Sequence, residues 1–543
     1  MEKNAPVDGA SATTPMDSSQ VRQYPSAGKT WIIMLCLYIT MFLVALDKSI
    51  LGTAMPRISD QFNSLSSIGW YASSYMLTLC AFQLIWGRIY TFYSVKLTFV
   101  TAVVIFEVGS AICGAAPTSP AFIVGRSISG LGSAGITNGA IIVIMETVPL
   151  EKRPVFQGLL GAVFGIASVV GPLLGGVLTD RLSWRWCFYI NLPFGAVAIA
   201  LLPFLLQSQP KAKTDVTTTS FIQKLKQMDP LGTALFLPSV VCLVLALQWG
   251  GTTYAWSNWR VILLLVLAVL LAIGFAIVQV FMPDTATIPP RVMKGRTMLG
   301  AALFCICCYA SILILSFYVP IFFQAIQNFS PTKSGLATLP SILGLFIGTV
   351  LAGVAVQRLG YPAPAMILSA VFTSVGAGLI TTWPVDVGSS MWIGYQFISG
   401  FGAGLGMQQP NLLAQIVLAD EEDATMGVSF MFFVQNLGGA VFISIAQSVF
   451  TDTLATELSK IPGLHLSRQQ IVEMGATNIK NLVSTSSIGL LLEGYRIAIR
   501  NTFYLGLTLS CLSMVAAVMV EWRSVKKEEK SEGDVEKVTA TAD

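Results

Sequence analysis

The sequence predicts an all-α polytopic membrane protein: two six-helix bundles plus two inserted spans, about fourteen transmembrane helices in all. Three observations carry this. Of the 543 residues, 54% are hydrophobic and only 11% charged, against about 25% charged in soluble domains; the mean hydropathy is +0.71. The chain offers about fourteen apolar stretches of the roughly 20 residues that cross a hydrocarbon layer. A pattern in the fourth stretch returns in the twelfth, as two related halves require.

Residues 1–30 are polar and rich in Ser and Thr, which reads as a disordered N-terminus with no cleavable signal peptide. The first bundle, 31–207, holds spans at 31–52, 70–92, 97–116, 119–146, 155–180 and 187–207. In the fifth, Gly158 to Gly176 reads GLLGAVFGIASVVGPLLGG: uncharged, rich in small residues, with Pro172 inside. Such a run bends a helix and strips one face of side chains, which serves either a hinge or simple close packing. The linker 208–229 ends at Asp229-Pro230, an N-cap followed by Pro at the first helical position. Spans 230–250 and 260–282 have no partner in the repeat and read as an insertion. After a loop at 283–298, the second bundle (299–522) holds spans 299–325, 336–357, 363–383, 388–417, 427–450 and 502–522. Its outer segment 451–501 alternates apolar and polar residues and is expected to hold surface helices; the tail 523–543 is polar.

The repeat is short but positional. Span 4 reads Arg126-Ser-Ile-Ser-Gly130-Leu-Gly132, and span 12 reads Gln396-Phe-Ile-Ser-Gly400-Phe-Gly402. Span 2 ends at Gly87 with a short basic turn to Lys96, and span 10 ends Gly353-x-x-x-Gln357-Arg358-x-Gly360. Repeated halves around a cavity are the architecture of alternating-access carriers.

Placing both termini in the cytoplasm puts about 20 Lys and Arg inside and about 10 outside, in keeping with the positive-inside rule. Lys152, Arg153, Arg291 and Arg296 mark the inner side; Asp420 to Asp423 is an acidic inner exception. The plasma membrane is the expected location, with a vacuolar or vesicle membrane as the alternative. Asn328-Phe-Ser330 is a glycosylation sequon on an outer loop, followed by Pro331. The net charge of +4 belongs to tails and loops and describes no nucleic-acid surface. Nine cysteines fall in or beside spans and read as apolar fillers. The single histidine, His465, lies in a polar loop, so neither a metal site nor a nucleophile–base pair is expected, hence no cofactor and no enzyme. Separately, the chain is expected to be a monomer whose partners are protons, lipid and a small organic substrate.

A charge inside a span costs roughly 2.5–3.5 kcal/mol and usually has a role. The candidates are Asp47, Lys48, Glu107, Arg126, Glu146 and Asp180. Asp47 lies about five residues from the outer end of span 1, roughly 8 Å, and Arg126 about seven residues into span 4, roughly 10 Å. At similar depth they can meet, either as part of a proton-coupling device or as a structural ion pair. A carboxylate poised between a guanidinium and an apolar setting can take and release a proton as its surroundings change. Glu107, in mid-span with no basic neighbour in sequence, is a second proton site or a structural hydrogen-bonder. Lys48 is expected to snorkel outward. Glu146 and Asp180 sit at span ends, and Arg181 and Arg185 at the outer interface beside a Trp184–Trp186 aromatic belt.

A substrate cavity is expected from amides beside aromatics: Gln83 in span 2, Tyr318, Phe322 and Gln324 in span 9, Gln408, Gln409 and Asn411 in span 12, and Gln435 and Asn436 in span 13. No charge accompanies them in this reading, which suits a bulky, weakly polar organic molecule. Each amide could equally hold helices together.

Several of these residues, in order, resemble the major facilitator superfamily, and within it the fungal branch of fourteen-span drug:proton antiporters that includes toxin and secondary-metabolite efflux pumps. Arg126-x-x-x-Gly130-x-Gly132 is similar to the family's span 4 motif. Gly158-x8-Ala167-x3-Gly171-Pro172-x2-Gly175-Gly176 is similar to its antiporter motif, with Ala167 where Gly is usual. Leu46-Asp47-x-Ser49-Ile50, Ala54-Met-Pro56-x-Ile58, Trp184-Arg-Trp186 through Asn191-Leu-Pro193, and Glu521-Trp-Arg-Ser-Val-Lys526 resemble the same branch. The resemblance spans roughly 31 to 527. It implies the major facilitator fold, proton-driven efflux of a toxic compound or secondary metabolite, and a coupling role for Arg126. A symporter importing a siderophore-like molecule is the alternative. Where the family usually carries a gating Asp between spans 2 and 3, this chain has Thr91, and its second half has Gln357.

Overall fold

In the computed structural model, the described residues are 24–206, 227–461 and 487–526, apart from positions 63, 65, 66, 252, 284 and 419. Fourteen long helices coincide with the expected spans: α1 (Ala27–Phe62), α2 (Ile68–Phe92), α3 (Val95–Ala115), α4 (Ser119–Thr147), α5 (Arg153–Arg181), α6 (Asn191–Leu205), α7 (Pro230–Trp249), α8 (Trp259–Phe281), α9 (Arg296–Ala325), α10 (Leu339–Leu359), α11 (Ala363–Thr381), α12 (Ser389–Gly406), α13 (Glu421–Leu458) and α14 (Ile488–Met519). Among the described residues, twelve helices are long and apolar enough to cross a membrane. The count falls short of fourteen at α2 and α12, whose sequences are richer in small and polar residues.

Four elements are longer or more broken than expected. α1 and α13 run well beyond 31–52 and 427–450, and α14 starts at Ile488 instead of 502. The alternation at 487–501 is a helical period, not that of separate surface helices. Leu491, Tyr495, Ala498 and Ile499 bury one face against a core that includes Leu454 and Leu458 of α13. The twelfth span is two pieces: α12 stops at Gly406, and a short helix, Gln409–Val417, resumes with Pro410 in its first turn. His465 with the rest of 462–486 in the outer segment, most of the linker 208–229, and most of both termini (1–23 and 527–543) lie outside the described residues.

The repeat works the same way in both halves. A Cβ on Gly130 would overlap Tyr75 O and Thr78 of α2, and one on Gly400 would overlap Ser341 O of α10. A Cβ on Gly132 would strike the backbone of Phe106 in α3, and one on Gly402 that of Thr373 in α11. Each pair of glycines lets the fourth helix of its half touch the second and the third together. The residue that opens the pattern is also matched: Arg126 Nε donates to Tyr71 O (3.0 Å) and Gln396 Nε2 to Ala337 O (3.0 Å).

α7 and α8 pack on each other, with α7 also against α2 and α13. Asp229 fastens the start of α7 to the end of α8. With its backbone in the left-handed region (φ 51°), its side-chain Oδ1 caps α7 by accepting from Gly232 N (2.7 Å), while Oδ2 accepts from Gln279 Nε2 (2.7 Å), Thr287 N (3.0 Å) and Thr287 Oγ1 (2.8 Å). The acidic Asp420–Asp423 turn has a basic partner: Arg291 donates to both oxygens of Asp423 at 2.7 and 2.9 Å, which holds the Arg291 guanidinium above its ordinary range.

Candidate functional site: a buried ion pair beside a central cavity

Three consecutive residues of α1 face three ways, because neighbours on a helix point about 100° apart. Asp47 turns to α4, where its Oδ2 accepts from Arg126 Nη1 at 2.5 Å, with both side chains at most 2% exposed. Since α1 extends to Phe62, Asp47 lies deeper than the 8 Å expected, yet the two charges meet. The guanidinium packs over the Tyr75 ring (4.4 Å to the centroid) and near that of Phe188 (6.0 Å). Asp47 Oδ1 has no protein partner among the described residues, so the carboxylate is held by one hydrogen bond in an apolar setting.

Ser49 turns to α5. Its hydroxyl donates to Ala167 O (3.0 Å) and fills the space a Cβ on Gly171 would need. A Cβ on Gly175 would likewise meet Thr53 and Ile50 of α1. The other end of the run faces the second half: a Cβ on Gly158 would stand 2.7 Å from Thr349 O of α10, and one on Gly353 2.6 Å from Pro154 O. At Gly165 the nearest atom of α10 is 3.6 Å away, so the two helices diverge from there. The Gly-Pro run thus has two contact faces, and α5 stays helical through Pro172. Gly176, by contrast, has nothing within 4 Å of its added Cβ.

Lys48 turns to a cavity between the halves, lined also by Thr137 of α4, Phe164 of α5, Tyr309 of α9, Gln408 at the break after α12, and Gln435 and Asn436 of α13. Its volume of about 50 Å³ admits a few waters, not a bulky solute. Lys48 is the charge that the sequence reading missed here. Its ammonium does not snorkel outward; it lies 5.7 Å from the centroid of the same Tyr75 ring that Arg126 covers.

Of the expected cavity residues, Gln408, Gln435 and Asn436 line it. Gln83 instead locks α2 to α4, its Nε2 donating to Asn138 Oδ1 (2.5 Å) and Asn138 Nδ2 to Gln83 O (2.7 Å). Tyr318 donates to Gln447 Oε1 (3.1 Å), Phe322 packs on Trp383, and Gln324 reaches Ser334 Oγ (2.9 Å); all three serve the core of the second half. Gln409 and Asn411 are buried behind the break and do not line the cavity. Glu107 lies between α3 and α6 with its carboxyl against Gly195, its oxygens without hydrogen-bond partners among the described residues. Trp184 is no interfacial belt residue: it is buried among Phe62, Phe122 and Phe188 and donates to Gln61 Oε1 (2.6 Å), while Arg185 stacks over it. In place of the gating acid, Thr91 donates to Gly87 O (3.0 Å) and packs on Met426 of α13.

Residues 37–443 match the family described as the Major Facilitator Superfamily. The chain belongs to that superfamily. It is 46% identical over 532 residues to the MFS-type efflux pump MFS1 of Trichophyton rubrum, covering 97% of this chain and 98% of that one. To the rubrofusarin-specific efflux pump aurT of Gibberella zeae it is 44% identical, covering 93% and 92%. A solved structure of the superfamily's proton:xylose symporter XylE superposes with a TM-score of 0.56 at 14% identity, over 94% of this chain and 99% of that one, a likeness of fold. The protein is therefore a multi-pass membrane transporter of the superfamily, not an enzyme.

Proposed function

We propose that this transporter is a proton-coupled exporter, exchanging an inward proton for an outgoing small organic molecule, a toxic compound or a fungal secondary metabolite, across the plasma membrane. The observation that carries the reading is the sealed Asp47–Arg126 pair lying on the same stretch of α1 that grips the Gly-Pro face of α5. Protonating Asp47 cancels the charge that holds Arg126 Nη1, leaving the guanidinium tied to Tyr71 O. A buried, unpaired cation is costly, so the neutral carboxyl favours a rearranged α1–α4 contact. Through Ser49, any shift of α1 reaches α5, whose other end forms the seam with α10. That seam is tight at the Arg153 end, the end that faces the cytoplasm in this reading, as the bias of Lys and Arg supports. The relatives named as efflux pumps support the outward direction. Glu107 is a second candidate to carry protons, and Asn328 a candidate for glycosylation.

Deleting the gene and measuring how the host's metabolites divide between cell and medium tests the export reading. One metabolite should accumulate inside the cells. An unchanged distribution of every metabolite would contradict export.

A further inference from the structure

The cavity is electrostatically unbalanced. Asp47 and Arg126 cancel each other behind the Tyr75 ring, whereas Lys48, one residue on, is the sole charged side chain in the cavity lining among the described residues. An ammonium offers three donors and no acceptor, and this one makes no hydrogen bond or ion pair with the described residues. Gln408 and Gln435 line the same cavity, and their Oε1 atoms are buried without hydrogen-bond partners among those residues, so they become acceptors once the wall opens. A smaller, largely apolar pocket with Phe304, Ile312 and Pro410 adjoins, sharing Tyr309, Met407 and Gln435.

We propose that Lys48 is the anion-recognition point of this cavity, and that the transported molecule is an aromatic organic acid. Its carboxylate or ionised phenol pairs with the Lys48 ammonium, its hydroxyls donate to Gln408 and Gln435, and its apolar body extends toward Phe304 and Ile312. The inference deepens the export reading and rests on it for the word substrate; the binding site itself does not depend on direction or on protons. Because Lys48 and Arg126 share the Tyr75 ring, an anion drawn to Lys48 acts beside the ion pair, which gives substrate and proton a common wall. The halves must part to admit such a molecule, since the cavity as it stands holds only a few waters.

Three dyes of related size separate the possibilities: fluorescein (anionic), rhodamine 123 (cationic) and Nile red (neutral). Binding to the full-length protein in detergent is read by fluorescence anisotropy. Wild type should bind fluorescein in preference to the other two. Lys48→Gln should weaken fluorescein binding about ten- to a hundredfold, the worth of a hydrogen bond to a charged group. Lys48→Arg should keep it, and Lys48→Glu should favour rhodamine 123. Equal affinity of wild type and Lys48→Gln for fluorescein, or wild-type preference for the cationic or neutral dye, would overturn the proposal. Vesicle transport of the same dyes separates the two readings. Gradient-driven movement of Nile red or rhodamine 123 in preference to fluorescein overturns anion recognition and leaves export standing. Charge-selective, Lys48-dependent binding of fluorescein that no gradient converts to transport supports anion recognition and counts against proton-driven export.

Discussion

The hydroxyl of Ser49 occupies the space that a side chain on Gly171 would take, and donates to Ala167 O at 3.0 Å. The α1 signature and the α5 Gly-Pro run are thereby two halves of one contact. Gly171→Val should destabilise the protein by about 1–3 kcal/mol, as overpacking of a tight core does. Gly171→Ala should be relieved in part by Ser49→Ala, which removes the nearest atom and leaves Cβ of residue 49 at 2.8 Å, a coupling that melting temperatures of the two single variants and the double variant in detergent would expose. Gly176→Ala, with open space beside it, should melt like wild type.

Gln83 and Asn138 exchange hydrogen bonds across α2 and α4, and neither lines the cavity. Gln83→Leu should cost about 0.6–2 kcal/mol of stability, the range for interhelical hydrogen bonds in membranes. The KM for transported compounds should not change. A raised KM at unchanged stability would return Gln83 to the cavity.

Asp229 gathers four hydrogen bonds at the junction of α7, α8 and the loop to α9 while buried at 2% exposure. Asp229→Ala should lower stability by at least about 3 kcal/mol, since each hydrogen bond to a charged group contributes about 1.5–3 kcal/mol. Limited proteolysis should then cut near Thr287 sooner than in wild type.

Arg126 makes two directional contacts, Nη1 to Asp47 and Nε to Tyr71 O, which a lysine cannot make together. Arg126→Lys should keep the protein in the membrane while lowering gradient-driven transport by an order of magnitude or more. Normal transport by this variant would mean that the charge alone suffices.

How much of this was legible in the sequence depends on what each residue answers to. The spans were legible because hydropathy answers to the bilayer, but the extra turns of α1, α13 and α14 bury one face in protein and expose the other, which a window tuned to lipid passes over. Gly130, Gly132, Gly400 and Gly402 were legible because close packing leaves a spacing behind. The meeting of Asp47 with Arg126 followed from opposite charge and comparable depth. The direction of Lys48 did not, because a step of one residue on a helix turns the side chain by about 100°. Gln83, Tyr318 and Gln324 looked like cavity groups because their partners Asn138, Gln447 and Ser334 come together only in the folded bundle.

The central claim is that Asp47 takes up the proton that drives transport. It is tested most directly in inverted membrane vesicles, by following the accumulation of an exported compound with and without an imposed pH gradient. Wild type should accumulate it only with the gradient. Asp47→Asn, at equal abundance in the membrane, should fall to the rate seen with the gradient collapsed while still exchanging the compound across the membrane. Accumulation by Asp47→Asn at the full gradient-driven rate would contradict the account.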